Sequence, residues 1–225
     1  MGWRSWIKSA VRQIVRVVTE AVGRVLGLGD LLFGFLTIPR KRLRLHVAIL
    51  SDANGPLVTE AELTPSVDYI KRVFKDRFNV NVLPYTKSYV YTLPDTPPSA
   101  ALDINEGFDA YSADFGEAGD YFAKHLAGWN AAPVSFTFPV TVYVIRDVIG
   151  KKGYSPGGPL VDYVLLDVDG VRLTTSTLAH EVAHACGLWH SGTQSNLMYK
   201  RDTRGDGAKF WQKNLLRSSR HVLYW

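Results

Sequence analysis

Cysteine is nearly missing from this chain: Cys186 is the only one in 225 residues. A lone thiol makes no intramolecular disulfide and cannot supply the paired thiolates of a zinc ribbon or an iron–sulfur centre. Any bound metal must therefore be held by His, Asp or Glu. Methionine is almost as scarce, with Met198 the single one after Met1. Long apolar runs are lacking too, since the stretch from Gly27 to Ile38 is too short to span a bilayer and carries Asp30. A cleavable signal peptide is not legible, because Arg12, Arg16, Glu20 and Arg24 break the apolar stretch and no Ala-x-Ala site follows. What is present, 46% hydrophobic, 12% aromatic and 21% charged, belongs to a chain that buries a core, which excludes disorder for most of it. At this length one domain of about 150–200 residues plus an extension is expected.

The formal net charge of +5 conceals an uneven distribution. Residues 1–44 hold nine Lys or Arg against Glu20 and Asp30, residues 45–198 hold ten basic and 17 acidic side chains, and residues 199–225 hold seven and two. The basicity is terminal. Nucleic-acid-binding folds carry positive charge on a groove-fitting element with aromatic or polar readers, and the body has no such motif, so nucleic acid is not an expected partner.

In the first 38 residues, Trp3, Ile7, Ala10, Ile14, Val18, Ala21 and Val25 recur every three or four positions, which makes one stripe of a helix. Arg4, Lys8, Arg12 and Arg16 make a second stripe at a spacing of four. A basic amphipathic helix with tryptophan near its start reads as an element for an anionic membrane surface. The competing reading is an extension or pro-segment packed on the body. Pro39 and the cluster Arg40-Lys41-Arg42-Leu43-Arg44 punctuate the chain into an N-terminal extension, 1–42, and a globular body, 43–225.

Within the body, Leu43 to Leu50 reads as a strand entering the core and Asn79 to Leu83 as a second strand. Thr64-Pro65 is the expected start of a helix that buries Val67, Ile70, Val73, Phe74 and Phe78. Residues 92–107, rich in Pro, Asp and Ser, read as a loop, and Asp114 to Asn130 as a helix anchored by Phe115, Tyr121, Phe122 and Trp129. Val140 to Ile145 is a β-branched and aromatic strand. Gly150 to Pro159 is a flexible loop before the apolar run Val161 to Val168.

The chemistry concentrates at His180-Glu181-Val182-Ala183-His184-Ala185-Cys186-Gly187-Leu188-Trp189-His190, which holds three of the six histidines. Positions four apart share a helix face, so His180 and His184 point at one ion, with zinc the expected metal. Glu181 lies about 100° around the helix from His180, close enough to reach a metal-bound water without ligating the metal. Gly187 can take the left-handed conformation that ends a helix and turns the chain back, which makes His190 the third ligand.

This HExxHxxGxxH pattern resembles the signature of the metzincin clan of zinc endopeptidases, which carry a methionine turn beneath the metal. Met198 lies eight residues after His190, and its spacing, the Leu197-Met198-Tyr199 sequence and Ser191 directly after the third histidine resemble the matrixins, the matrix-metalloproteinase-like family of peptidase M10 type. The specific match runs from Leu178 to Tyr199. The resemblance implies an α+β zincin (metzincin) fold: a twisted mixed sheet with two long helices, the second carrying the zinc motif, preceded here by the N-terminal helical extension. It implies a catalytic zinc on His180, His184 and His190, with Gly187 and Met198 supporting the site. It further implies peptide-bond hydrolysis by a zinc-bound water that Glu181 deprotonates, Glu181 then passing the proton to the departing amine. An edge strand within 153–168 would align an extended polypeptide substrate. Tyr199 and the segment 200–206 would line the specificity pocket, reshaped by Lys200, which stands where matrixins have proline. The family also favours an extracellular or membrane-associated location.

Departures matter as much. Residues 147–170 lack the His/Asp pattern that holds a second zinc and Ca2+ in vertebrate matrixins, and Asp162, Asp167 and Asp169 read as solvated loop residues. The cysteine switch is absent, since Cys186 is two residues from His184 and faces the packed side of the helix. Asp30, beside Gly29 in an apolar stretch, is then the candidate latency ligand, with Arg40–Arg44 as the cleavage point. The alternative function is a membrane-surface or interaction protein with a structural zinc. Such a site fills all four positions with protein ligands, and no fourth is evident.

Overall fold

A computed structural model describes residues 27–33, 39–105, 116–127, 139–149, 153–154 and 163–224, together with positions 11, 14, 18, 21, 22 and 25. In chain order the elements begin with α1 (Leu28–Phe33), β1 (Lys41–Ile49), the short hairpin β2 (Ser51–Asp52) and β3 (Gly55–Pro56), and α2 (Glu60–Val73) with a π turn, Phe74–Phe78. Next come β4 (Val80–Pro84), β5 (Val90–Thr92), α3 (Ser99–Leu102), β6 (Asp103–Asn105), α4 (Glu117–His125), β7 (Val140–Ile145) and β8 (Asp147–Ile149). The last are β9 (Gly153–Tyr154), β10 (Tyr163–Asp167), α5 (Val168–Leu173), α6 (Thr177–Ala185), α7 (Phe210–Arg217) and β11 (Val222–Leu223).

β1 organises the sheet because both of its edges are used twice. On one side it pairs in parallel with β4 and then β5. On the other it pairs antiparallel with β11 at Arg42 and Leu43, then in parallel with β7 from Leu45 onward. β10 joins β7 in parallel, and β9 lies antiparallel at the far edge. Mostly parallel sheets need cover on both faces, and β7 and β10 are buried along their whole length. Alternate residues feed two cores. Val142 and Val144 of β7 and Val164 and Leu166 of β10 pack with α2 and α6, while Tyr143, Ile145, Tyr163 and Leu165 pack with α3 and α4. The result is a mixed α/β fold with a parallel-dominant sheet.

The strand expectations hold closely, with Val140–Ile145 realised residue for residue. Three expectations on helices and loops need correction. α2 begins at Glu60, not at Thr64-Pro65, because Thr59 and Glu62 form a reciprocal cap: Thr59 Oγ1 accepts from the Glu62 amide, and Glu62 Oε2 accepts from the Thr59 amide at 2.7 Å. Pro65 sits inside the helix. The 92–107 loop contains α3 and β6, the latter paired in parallel with β8. α4 spans nine residues, with Tyr121 and Phe122 buried as expected; Phe115 and Trp129 lie outside the described residues.

The end of the N-terminal extension is docked on the body. α1 packs against α7. Gly27 is required there by proximity, since an added Cβ would lie 2.5 Å from the Ser218 carbonyl oxygen. Asp30 is buried, and Lys41 Nζ lies 2.5 Å from its Oδ2, while Tyr224 OH donates to the same oxygen at 3.1 Å. Arg217 Nε donates to Asp30 Oδ1 at 3.1 Å and its two terminal nitrogens donate to the carbonyls of Asn79 and Pro39 at 3.0 Å. Lys41 also donates to the Arg217 carbonyl and lies over the Tyr224 ring. Burial pushes the Lys41 ammonium below its ordinary pKa while Asp30 holds it up.

Candidate metal centre

α6 carries the metal motif because its opposite face is apolar. Leu178, Ala179, Val182, Ala183 and Cys186 enter the core shared with α2 and the sheet, so the helix is fixed by packing and His180 and His184 emerge on the remaining side. Cys186 is fully buried, as expected of a residue on the packed face. The helix stops where Gly187 adopts φ +90°. The Leu188 amide donates to the Ala183 carbonyl and the Gly187 amide to that of His184, a Schellman closure that needs a left-handed residue at position 187. The reversed chain brings His190 back to the helix.

The three imidazoles converge. Nε2 of His184 lies 3.1 Å from Nε2 of His180 and 3.2 Å from Nε2 of His190. Two nitrogens bound at about 2.05 Å to one tetrahedral zinc stand about 3.3 Å apart, so these separations fit a single ion. The proton positions fit as well. His180 Nδ1 lies 2.8 Å from the Leu197 carbonyl oxygen and His184 Nδ1 lies 2.7 Å from that of Leu188. A carbonyl only accepts, so each Nδ1 carries the hydrogen and each Nε2 of the neutral ring presents a lone pair. Facing lone pairs repel unless a cation lies between them. Burial, more than the neighbouring Arg204 charge, lowers the His180 pKa to about 3, which keeps that ring neutral. Among the described residues these three form the one group of His, Cys, Asp or Glu side chains placed to hold a metal.

The methionine turn supports the site through its backbone. Met198 and Leu197 are buried; the Leu197 carbonyl orients His180, and the Met198 carbonyl accepts from the amide of Ser191, next to His190. The turn is held by Asn196, whose side-chain oxygen accepts from the Met198 amide at 2.9 Å. Asn196 Nδ2 in turn donates to Oε1 of the fully buried Gln212 in α7 at 2.8 Å. Glu181 is buried beside His180 on α6. Tyr199 and Lys200 follow the turn directly, Tyr199 donating its amide to Asn196.

Asp30, the expected latency ligand, is not part of this group. Both of its oxygens are engaged by Lys41, Arg217 and Tyr224, which corrects that expectation: a carboxylate already neutralised by two buried cations has no charge left to offer a metal. Asp167, read as a solvated loop residue, is buried and caps α5 through the Gly170 amide. Asp162 lies outside the described residues, and no calcium-type cluster of acids occurs among the described ones. Arg204 falls within the segment 200–206 expected to line the specificity pocket, with no individual role assigned from the sequence. Its side chain is 5% exposed, its Nε donates to the carbonyls of Tyr199 and Arg201 at 3.2 Å, and its Nη1 is buried without a hydrogen-bond partner. It lies close enough for its charge to act on Glu181 and His180. The five residues between Met198 and Arg204 carry no sequence signal for that return.

No family model matches the sequence, and no curated protein matches it. Among solved structures the chain is similar to metalloproteinase-II from Bacteroides fragilis, with a TM-score of 0.50 and 14% identity over 79% of this chain and 53% of that one. Archaemetzincin from Methanopyrus kandleri is similar at a TM-score of 0.45 and 14% identity, over 80% of this chain and 97% of that one. A chain of a chaperone–substrate complex is similar at a TM-score of 0.43 and 15% identity, over 68% of this chain and 25% of that one. This chain thus spans about half the length of the Bacteroides metalloproteinase and a quarter of the complex's chain. Described from its own residues and set beside the Bacteroides structure, the chain shares the fold of that metalloproteinase and carries a three-histidine group that could hold a metal.

Proposed function

We propose that the protein is a zinc-dependent endopeptidase of metzincin type, with the Leu197-Met198-Tyr199 turn supporting a matrixin-like reading. The observation that carries it is the convergence of three imidazoles on one point, two with their Nδ1 hydrogens committed to carbonyls. Three protein ligands leave a fourth position open, as catalytic zinc sites do, whereas structural sites close it. A zinc ion held there would acidify water and polarise a peptide carbonyl. Glu181 is the proton acceptor of this scheme and returns the proton to the departing amine. The antiparallel edge strand β9, beside α6, offers main-chain groups to an extended polypeptide. Tyr199, Lys200 and the rest of the segment 200–206 are the residues proposed to line the pocket for the residue after the scissile bond.

The test is hydrolysis of a mixed peptide library by the zinc-loaded full chain, its Glu181→Gln variant and the chain with chelator. Glu181→Gln retains zinc and loses about two to four orders of magnitude in turnover. Undiminished turnover in that variant, or in chelator, overturns the reading.

A further inference from the structure

At the described positions before α1, aliphatic side chains form a row that is exposed among the described residues. Val11, Ile14, Val18, Val22 and Val25 are helical and exposed, and Leu28 and Leu32 of α1 continue the row. Successive members are three or four residues apart, the spacing of one helix face. Exposure reaches 64% at Ile14, 65% at Val25 and 62% at Leu32, so this is an open surface. Contiguous apolar surface of this kind marks an interaction site in a chain that otherwise buries its core.

Charge identifies the occupant. Before Gly27 the sequence carries Arg4, Lys8, Arg12, Arg16 and Arg24 against a single acid, Glu20. A second copy of the same face would bring like charges together, whereas an anionic phospholipid surface takes up both the aliphatic row and the cations. No helix among the described residues is long and apolar enough to cross a membrane. The opposite side of α1 is fastened to the body by Gly27 against Ser218 and by Asp30 in its buried cluster, while Leu28 and Leu32 face outward. We infer that the protein docks on anionic bilayers through the row from Val11 to Leu32, with α1 as the joint that carries the body at the lipid surface. This inference is independent of the peptidase reading.

Vesicle sedimentation of the full chain tests it, with phosphatidylcholine alone and phosphatidylcholine mixed with phosphatidylglycerol, at low and high salt. The wild type sediments with the anionic vesicles and less so as salt rises. Ile14→Glu/Val18→Glu, which alters only exposed positions, lowers partitioning about tenfold or more while leaving the melting temperature in place. Arg12→Ser/Arg16→Ser weakens binding and flattens its salt dependence. A wild type that ignores anionic vesicles, or an Ile14→Glu/Val18→Glu variant that sediments like it, overturns the proposal. So does a wild-type oligomer that this variant dissociates, which would make the face a protein interface.

Discussion

Around Asp30 the charges meet inside the protein: one carboxylate and two cations, all nearly fully buried, are satisfied by one another, by three carbonyls and by the phenol of the exposed Tyr224. Around His180 three imidazoles converge on one point, two of them oriented by carbonyls that accept from their Nδ1 atoms. Both centres are polar and partly or wholly buried, so burial does not distinguish them. What does is how the polar groups are arranged. The Asp30 centre spends its groups on one another, whereas the histidines gather three potential ligand atoms at one point.

The contrast is broken most severely at Asp30. Asp30→Ala leaves Arg217 and Lys41 buried without their counter-ion and is expected to lower unfolding stability by about 3–5 kcal/mol, measured by urea unfolding. His184→Ala, by comparison, leaves the zinc-free chain close to wild-type stability and instead abolishes the zinc-induced rise. That rise is about 2.7 kcal/mol at a hundredfold excess over Kd. Equal destabilisation of the two zinc-free variants would erase the distinction between the centres.

The histidine centre also depends on a backbone device, which Gly187→Ala tests next. A side chain in the left-handed region costs about 1–2 kcal/mol, and helix α6 gains a reason to continue past its stop. Expected are a modest fall in melting temperature and a larger fall in zinc affinity, because His190 reaches the ion only through that turn. Zinc titration that leaves affinity unchanged would show that the third ligand is positioned some other way.

The smallest effect concerns pH. Burial raises the Asp167 carboxyl to about 6, with Asp169 and Asp147 adding to the rise and the Gly170 amide opposing it. The folded chain therefore binds that proton more tightly than the unfolded chain, whose value is about 4. The stabilisation is present below about pH 4 and is lost as pH rises through about 6. His46, which burial lowers to about 4, acts with the opposite sign. The informative comparison is thus wild type against Asp167→Asn, whose stability is expected to fall less between pH 4 and 6. Parallel stability profiles for the two would refute the assignment.

The sequence showed the metal centre far better than its surroundings, and the reasons are physical. His180, His184 and Gly187 act through helix geometry, so their spacing alone predicts where they meet. The strands of the core were legible because alternation and β-branching report burial directly, as in Val140–Ile145. The start of α2 was misplaced because a proline signal at Thr64-Pro65 was weighed above the Thr59–Glu62 cap, which makes two hydrogen bonds. The surroundings of Asp30 and Arg204 are illegible in the sequence for a different reason. Their partners, Arg217 and the Tyr199 carbonyl among them, are brought together by tertiary folding, which no local pattern encodes.

Helix α7 has a consequence that reaches across the molecule. Gln212, near its start, grips Asn196 under the methionine turn, and Arg217, at its end, grips Asp30 of α1. Five residues of α-helix separate these grips, about 7.5 Å of rise in a rod that scarcely bends. The rod joins the orientation of α1 to that of the turn whose Leu197 carbonyl aims His180. A protein moored by α1 would therefore present its three histidines at a set bearing to the mooring surface, so that on the proposed peptidase reading its substrates would be selected by how far and at what angle they stand from that surface.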